Sequence, residues 1–301
     1  MIRGISTTQP MQVLYIGGHS RNGSTLLATL LARRSGAMSA GELGQLFAWA
    51  ARDRACTCGR SMLNCSFWGP VIVCVEAETK MSMRALASAC EDAERGSGDP
   101  SLWRQAWRAT MDELRDLHGV VRIIDSSKTT GGRQRVLLLA SMEAVDIRLL
   151  VHLQRSLAGV VHSWRTGNAV LPHTQQSGTS TIAAFRAMIG WVRASRAAVR
   201  QGTRFPYRQV GYDDLVAEPD ETVDELVEAA GWERVQASDE VHAVGANRAV
   251  RSGWSDLVRP DEAWRTELSG RWKATARVTQ RLSTVGIGRR HVAHALRRNR
   301  M

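Results

Sequence analysis

The segment that most constrains the fold is VLYIGGHSRNGSTLL, residues 13–27. A strand-type apolar run leads into a glycine-containing loop, and a second apolar run follows that begins with Ser24 and Thr25. Gly17, Gly18 and Gly23 permit the tight turn and close backbone approach that a phosphate loop needs. The free N–H groups at the start of a helix favour an anion. The segment predicts a strand, a phosphate-binding loop and a helix, although an ordinary turn rich in small residues has a similar composition.

The loop lacks the lysine of a Walker A motif. Ser24 stands at that position, and the nearest cation is Arg21. A triphosphate site needs the lysine on the β- and γ-phosphates and a carboxylate for Mg²⁺. Asp125 does end an apolar run, so a carboxylate is present, but the main charge clamp is missing. A single 5′-phosphate, with Arg21 as a bidentate cation, fits the loop better.

The remaining chain alternates strand-type and helical segments. Strand-type runs cover residues 13–16, 120–125, 147–153 and 205–212, and helical patterns cover 24–35, 80–94, 101–118, 132–143, 156–166 and 181–201. This alternation predicts a three-layer α/β fold, a parallel sheet with helices on both faces and its ligands at the carboxyl ends of the strands. We expect a single domain over residues 1–301, with a helical cap at about 75–118, or helices that flank the core there, and a basic tail at about 286–301.

The net charge of +11 favours a polyanionic partner such as a nucleic acid, a membrane surface or a phosphorylated small molecule. A solvated basic surface is equally compatible with it. Lys80, Lys128 and Lys273 are the only lysines, so a lysine at the end of a strand is a candidate functional residue. The first twelve residues contain no apolar signal region, and no apolar run reaches the length of a membrane span. We therefore expect a cytoplasmic protein without a membrane span.

Five cysteines lie in the first third of the chain. Cys56, Cys58 and Cys65 fall in CTCGRSMLNC, whose C-x-C-x6-C spacing differs from a standard zinc knuckle, and no histidine lies near them in sequence. An odd number of cysteines in a cytoplasmic chain also disfavours a disulfide framework. We predict no metal ligand, and a buried or locally paired cysteine cluster.

A second anion site is indicated by VHLQRSLAGVVHSWR. Arg155 follows a strand-type run, and Ser163 lies two helical turns later on the same face. Together they could hold a second phosphate, although a surface arginine and an ordinary helical serine produce the same pattern.

Taken in order, GGHSRNGSTLL, IIDSSK, QRSLAGVVHSW and GYDDLVAEP resemble the sulfotransferase superfamily, whose donor is 3′-phosphoadenosine 5′-phosphosulfate (PAPS). Residues 18–27 resemble its 5′-phosphosulfate loop, G-x-x-R-S-G-T-T-L-L, with departures at Asn22 and Ser24. Residues 155–163 resemble its 3′-phosphate motif, R-D-P-x5-S, with Ser156-Leu157 in place of Asp-Pro. CTCGRSMLNCSFW resembles a cysteine-rich segment of bacterial members. The resemblance covers about residues 12–275 and implies a P-loop NTPase-like fold.

The resemblance also implies the residues that bind the donor. The loop residues are Gly18, His19, Ser20, Arg21, Asn22, Gly23, Ser24 and Thr25. Arg155 and Ser163 would hold the 3′-phosphate, and Tyr212 would lie against the adenine edge. HAVGANRAVRSGW resembles a family loop that closes over the nucleotide, which adds Asn247, Arg248 and Arg251.

The acceptor hydroxyl must lose a proton, so a base is needed. Glu42, in SAGELGQL, matches a glutamate that serves as base in some family members, although a helix-start acid fits the same position. Lys128 and Arg21 could stabilise the leaving phosphate oxygen. The histidines at 19, 162 and 173 are fallback bases, His19 the best of them.

The sequence is therefore interpreted as a PAPS-dependent sulfotransferase that leaves adenosine 3′,5′-bisphosphate (PAP) and needs no metal. Its acceptor would be a hydroxyl of a small molecule or glycan, with no specific nucleic-acid partner. Two alternatives stay open. A P-loop kinase would bind ATP with Mg²⁺ more tightly than PAP. A non-catalytic polyanion-binding protein would bind in a steeply salt-dependent way without Arg21 and Arg155.

Overall fold

The computed structural model describes residues 9–128, 133–166, 181–235, 242–245, 258 and 260–283. Within these residues five strands form one sheet: β1 Met11–Gly17, β2 Met38–Gly41, β3 Arg122–Asp125, β4 Val145–Gln154 and β5 Tyr207–Gly211. Their order is β2-β3-β1-β4-β5, and every pairing is parallel. All five carboxyl ends therefore meet at one edge of the sheet, where the sequence predicts the site.

Helices connect the strands and cover both faces of the sheet. They are α1 Ser24–Ser35, α2 Leu46–Ala50, α3 Trp68–Thr79, α4 Met83–Arg95, α5 Pro100–His118, α6 Arg135–Leu139, α7 Leu157–Arg165, α8 Thr181–Gly202, α9 Tyr212–Ala217, α10 Pro219–Ala229 and α11 Ala263–Glu267. Residues 270–283 are also helical and are labelled α12. None of the helices in the described ranges combines the length and the apolar character needed to cross a bilayer.

The alternation of β1 side chains divides the core into two layers. Val13 and Tyr15 face a cluster built with α3, α4 and α5, whereas Leu14 and Ile16 face a cluster built with α1 and α10. A strand covered on both faces is buried along nearly its whole length, and β1 is. The three-layer parallel α/β architecture predicted from the sequence is confirmed.

Most predicted elements correspond to observed ones, with shifts at their ends. Residues 24–35 are helical as predicted, whereas the helix predicted over 132–143 is the shorter α6. The strand predicted over 205–212 ends at Gly211, and Tyr212 begins α9. The strand β2 and the helix α3 were not predicted. Helices α4 and α5, which lie within the predicted cap at 75–118, pack in the same cluster as β1, as flanking helices do.

Candidate active site

The loop between β1 and α1 depends on its glycines. Gly18 and Gly23 have φ values of 114° and 95°, a region that residues with a Cβ avoid. A Cβ on Gly18 would lie 2.5 Å from the Leu153 carbonyl oxygen, and one on Gly23 would lie 2.5 Å from the Tyr212 ring. Arg21 also has a positive φ, of 69°. The predicted phosphate loop is therefore a compact turn that only glycine fits at both positions.

Asn22 ties this loop to the neighbouring strand. Its buried amide donates to the carbonyl of Leu153, at the end of β4, over 2.9 Å. Its carbonyl oxygen accepts the backbone N–H of Ser24 over 3.1 Å. The side chain of Asn22 thus holds the loop in shape and joins the ends of β1 and β4.

Arg155 lies where three of the predicted motifs meet. Its Nη1 donates to the carbonyl oxygen of Arg21 over 3.1 Å, and its guanidinium lies 4.9 Å from the centre of the Tyr212 ring. Its Nη2 forms an ion pair with Asp261, which sequence reasoning did not identify. The fold therefore brings Arg155 and Tyr212 together at the predicted phosphate loop, and a carboxylate is already paired with the predicted phosphate-binding arginine.

Ser163 lies on α7, on the side that leads to Arg155. A Cβ on Gly159 would lie 3.1 Å from Arg155 Nε, so Gly159 leaves room for the guanidinium beside the helix. Ser163 is half-buried one helical turn after Gly159 and on the same face. The Ser156 hydroxyl accepts the Gly159 N–H and caps α7.

Glu42 and Lys128 lie at the other end of the site, after β2 and β3. The Lys128 ammonium forms an ion pair with the Glu42 carboxylate, and the lysine is buried. Lys128 has a positive φ of 67°, and Tyr15 donates its hydroxyl to the Lys128 carbonyl over 2.6 Å. The proposed base and the proposed leaving-group cation are therefore in direct contact.

A buried ion triad supports the ends of β3 and β2. Arg135 pairs with Asp125 at 2.9 Å and with Glu94 at 3.1 Å, and it stacks on Trp107. Burial alone lowers the pKa of Arg135, but Asp125 and Glu94 raise it above its ordinary value. Both carboxylates are thereby engaged with a cation inside the protein.

The triad reaches Glu42 through Ser127. The Ser127 hydroxyl donates to Asp125. It also accepts the N–H of Gly44, two residues after Glu42, over 2.7 Å. The Glu42 N–H itself donates to the Val244 carbonyl over 2.7 Å. These bonds fix the backbone on both sides of the Glu42 side chain.

Arg21 and His19 lie between the two ends of the site. Burial lowers the pKa of Arg21, Glu42 raises it and Arg155 lowers it, so the Arg21 guanidinium is within electrostatic range of both. Burial also lowers the pKa of His19 to about 4, so its imidazole is neutral at pH 7. His19 Nδ1 donates to the Ser20 carbonyl over 2.9 Å, and a Cβ on Gly190 of α8 would lie 2.7 Å from Nε2.

The other predicted residues divide into three groups. Ser20 lies in the loop, and Ser24 and Thr25 are the first two residues of α1. Asn247, Arg248, Arg251 and His173 lie outside the described residues. His162, a fallback base, hydrogen-bonds to Glu267 over 3.0 Å.

Comparison with known proteins identifies solved structures that share the fold. No protein-family model matches the chain, and no curated protein matches it. Among solved structures, the sulfotransferase domain of the Synechococcus PCC 7002 olefin synthase is 18% identical, with a TM-score of 0.50 over 92% of this chain and 97% of its own. The sulfotransferase domain from the curacin biosynthetic pathway is also 18% identical, with a TM-score of 0.50 over 91% of this chain and 98% of its own.

A retinol dehydratase solved with androsterone and the inactive cofactor PAP is a more distant match, with a TM-score of 0.44 and 9% identity. The two sulfotransferase domains and this chain share an architecture along nearly their whole lengths. The resemblance seen in the sequence motifs is thus confirmed at the level of the fold. The chain has the P-loop-like α/β fold of sulfotransferase domains.

Proposed function

We propose that the chain is a PAPS-dependent sulfotransferase that acts on a hydroxyl acceptor. The observation that carries the proposal is the position of Arg155, buried against the loop backbone and the Tyr212 ring. Three segments that resemble sulfotransferase motifs are far apart in sequence, and they converge there. The ion pair of Glu42 and Lys128 then lies at the ends of the neighbouring strands.

The residues present fit a donor with two separate anionic groups. The loop of residues 18–25, with the Arg21 cation, would hold the 5′-phosphosulfate. Arg155 already pairs with the Asp261 carboxylate, which supports its assignment as an anion-binding residue. We assign the 3′-phosphate to Arg155 with Ser163, and the adenine edge to Tyr212.

The donor, when bound, supplies the sulfuryl group and a phosphate leaving group. An acceptor oxygen–sulfur bond forms while the bond from sulfur to the 5′-phosphate oxygen breaks. Glu42 takes the acceptor proton, and Lys128 and Arg21 stabilise the negative charge that develops on the departing oxygen. Because Glu42 and Lys128 are paired, protonation of Glu42 frees the Lys128 ammonium for that oxygen.

Glu42 is favoured over His19 as the base. The His19 ring is buried against Gly190, and its Nδ1 is engaged with the Ser20 carbonyl. The Glu42 side chain is 36% exposed, which leaves its carboxylate accessible to an acceptor.

The kinase alternative is weakened by Asp125. This carboxylate ends β3, where a Walker B acid would bind Mg²⁺, but it is buried and its oxygens are bound to Arg135 and Ser127. With Ser24 in place of the Walker lysine, two parts of a triphosphate site are missing from their positions. Transfer of a sulfuryl group requires neither the Walker lysine nor a carboxylate that binds Mg²⁺.

The test is the melting temperature in the presence of PAP and without added metal. PAP should raise the melting temperature of the wild type, and Arg155→Ala should abolish that shift. Arg208→Ala, which removes the same charge from an exposed position on β5, should keep it. No shift at saturating PAP would overturn the donor assignment. Transfer to the acceptor is then read by mass spectrometry over a panel of hydroxyl compounds with PAPS.

A further inference from the structure

Four potential metal ligands converge that are not among the residues assigned to the donor site. Cys56, Cys58 and Cys65 come from one loop, and His242 comes from a segment far along the chain. Their ligand atoms all lie within 4.8 Å of one another. His242 Nδ1 lies 3.4 Å from Cys65 Sγ and 3.7 Å from Cys56 Sγ, and the Cys58 and Cys65 sulfurs are 3.7 Å apart.

These separations match the edges of a tetrahedron around a zinc ion. Zinc bonds of about 2.3 Å to sulfur and about 2.0–2.1 Å to nitrogen place two sulfurs about 3.8 Å apart and sulfur and nitrogen about 3.6 Å apart. The sulfurs are too far apart for a disulfide, and all five cysteines are free. The four ligand atoms thus surround a point at which a single ion fits.

The loop that carries the cysteines has the form of a metal-binding turn. The Gly59 N–H donates to the Cys56 carbonyl over 3.0 Å, and Gly59 has a φ of 88°. The Cys56 N–H donates to the Arg60 carbonyl over 2.8 Å, which closes a short hairpin. At the other end, the Trp68 N–H donates to Cys65 Sγ over 3.5 Å, which orients that sulfur. The turn thus brings Cys56 and Cys58 close to Cys65, at the other end of the segment.

His242 is held in place by contacts independent of its ring nitrogen. Trp68 Nε1 donates to the His242 carbonyl over 2.8 Å, and the Ala243 N–H donates to the Thr57 hydroxyl over 2.9 Å. The Phe67 ring stacks on the imidazole at 4.9 Å with an interplanar angle of 9°. Such outer contacts orient a histidine ligand before the ion binds.

We propose that Cys56, Cys58, Cys65 and His242 bind a structural Zn²⁺ ion. Three thiolates and one imidazole are a soft tetrahedral set typical of zinc, and four protein ligands leave no open position for catalysis. This site differs from the sequence-based prediction of no metal ligand, because the histidine is 177 residues from Cys65 in the chain. The site is separate from the metal-free reaction proposed above.

The ion joins a distant segment to the strand that precedes Glu42. Two residues after His242, the Val244 N–H donates to the Ala40 carbonyl over 3.0 Å, and the Val244 carbonyl accepts the Glu42 N–H. Gly41 has a φ of 67°, and a Cβ there would lie 2.2 Å from the Val244 oxygen, so the two backbones are in close contact. The zinc site therefore anchors the segment that holds the Glu42 backbone.

The test is the metal content of the full chain purified without added metal or chelator, measured by plasma mass spectrometry. About one zinc ion per chain is expected for a closed four-ligand site. Cys65→Ser and His242→Ala should lower zinc to a small fraction, and the exposed Cys58→Ser should weaken its retention against a chelator. Cys74→Ser, on α3 and outside the cluster, is the matched control and should keep one zinc.

A spectroscopic measurement on the wild type avoids any dependence on folded variants. After zinc removal under reducing conditions, Co²⁺ should produce thiolate charge-transfer bands and the intense visible bands of a tetrahedral ion, with one equivalent at saturation. The inference is overturned by protein that carries no zinc and shows no such bands. It is equally overturned by full zinc retention in Cys65→Ser, or by a Cys58–Cys65 disulfide in the protein as purified.

Discussion

The Glu42 carboxylate and the Lys128 ammonium form an ion pair that joins the ends of two adjacent strands, β2 and β3. Lys128 is buried, whereas Glu42 is partly exposed, so the carboxylate is the more accessible member of the pair. Each partner is held by backbone contacts, Lys128 by Tyr15 and Glu42 by Val244. The proposed proton acceptor and the proposed leaving-group cation thus form one preorganised unit.

Glu42→Gln should remove turnover and leave PAP binding intact. Glutamine keeps the shape of the side chain but cannot accept a proton, and loss of general base catalysis costs about 10²- to 10⁴-fold in rate. The measurement is PAPS-dependent sulfation of an acceptor from the panel, alongside PAP binding by calorimetry. Glu78→Gln, on the exposed side of α3, should behave as the wild type. Undiminished turnover in Glu42→Gln would move the base to another residue.

Asp261→Asn should strengthen the binding of PAP. The Asp261 carboxylate pairs with Arg155 in the free protein, and a 3′-phosphate has to compete with it for the same guanidinium. Removing that negative charge should lower the Kd for PAP several-fold, as measured by calorimetry. Asp220→Asn removes an acid that is almost fully exposed, and should leave the Kd unchanged. Weaker binding in Asp261→Asn would mean that Asp261 supports the nucleotide site.

Stability should fall as the pH drops from about 6.5 toward 4 because two histidines are buried in their neutral form. Burial lowers the pKa of His152 and that of His19 to about 4, so in this window the unfolded chain binds protons that the folded chain does not. Each such histidine contributes a slope of about 1.4 kcal/mol of unfolding free energy per pH unit. Urea unfolding at several pH values measures that slope.

His152→Asn provides the variant for this pH dependence. Asparagine can retain a hydrogen bond to the Tyr207 hydroxyl, which lies 2.9 Å from His152 Nδ1, but it does not titrate. The variant should have a shallower loss of stability between pH 6.5 and 4 than the wild type. Parallel profiles for the two proteins would show that His152 is not held neutral.

Arg135→Met should destabilise the fold strongly. The substitution leaves Asp125 and Glu94 buried without their common cation, and breaking a buried ion pair in this way costs about 3–5 kcal/mol. Arg95→Met, which removes an exposed arginine paired with Glu91 outside the triad, should cost about 0–1 kcal/mol. Unfolding in urea measures both. Equal losses would mean that the triad is not what holds the end of β3.

The sequence predicted those segments in which the glycine positions or the spacing of apolar residues are distinctive. The loop at residues 18–24 and the helix α1 follow directly from glycine spacing and an apolar run. The strand β2 was missed because MSAG contains no β-branched residue, although it carries Glu42 at its end. The helix α3 was missed because WGPVIVCVEAET is rich in valine and isoleucine, and its proline lies in the first turn, where no N–H is needed.

Contacts between segments that are far apart in the chain left no pattern in the sequence. Asp261 meets Arg155 across 106 residues, and His242 meets Cys65 across 177. Neither spacing has a period that one sequence can reveal, so the partner of the phosphate arginine and the fourth metal ligand required the folded chain. The predicted roles of Asn247, Arg248 and Arg251, the hydroxyl acceptor and the cytoplasmic location stay predictions.

The central claim is tested most directly by calorimetry that compares PAP without metal and ATP with Mg²⁺ as ligands of the full chain. The account predicts that PAP binds more tightly than ATP with Mg²⁺, that a chelator of Mg²⁺ leaves PAP binding unchanged, and that Arg155→Ala weakens it strongly. Tighter, Mg²⁺-dependent binding of ATP, or PAP binding that survives Arg155→Ala unchanged, would contradict the assignment of the site to PAPS.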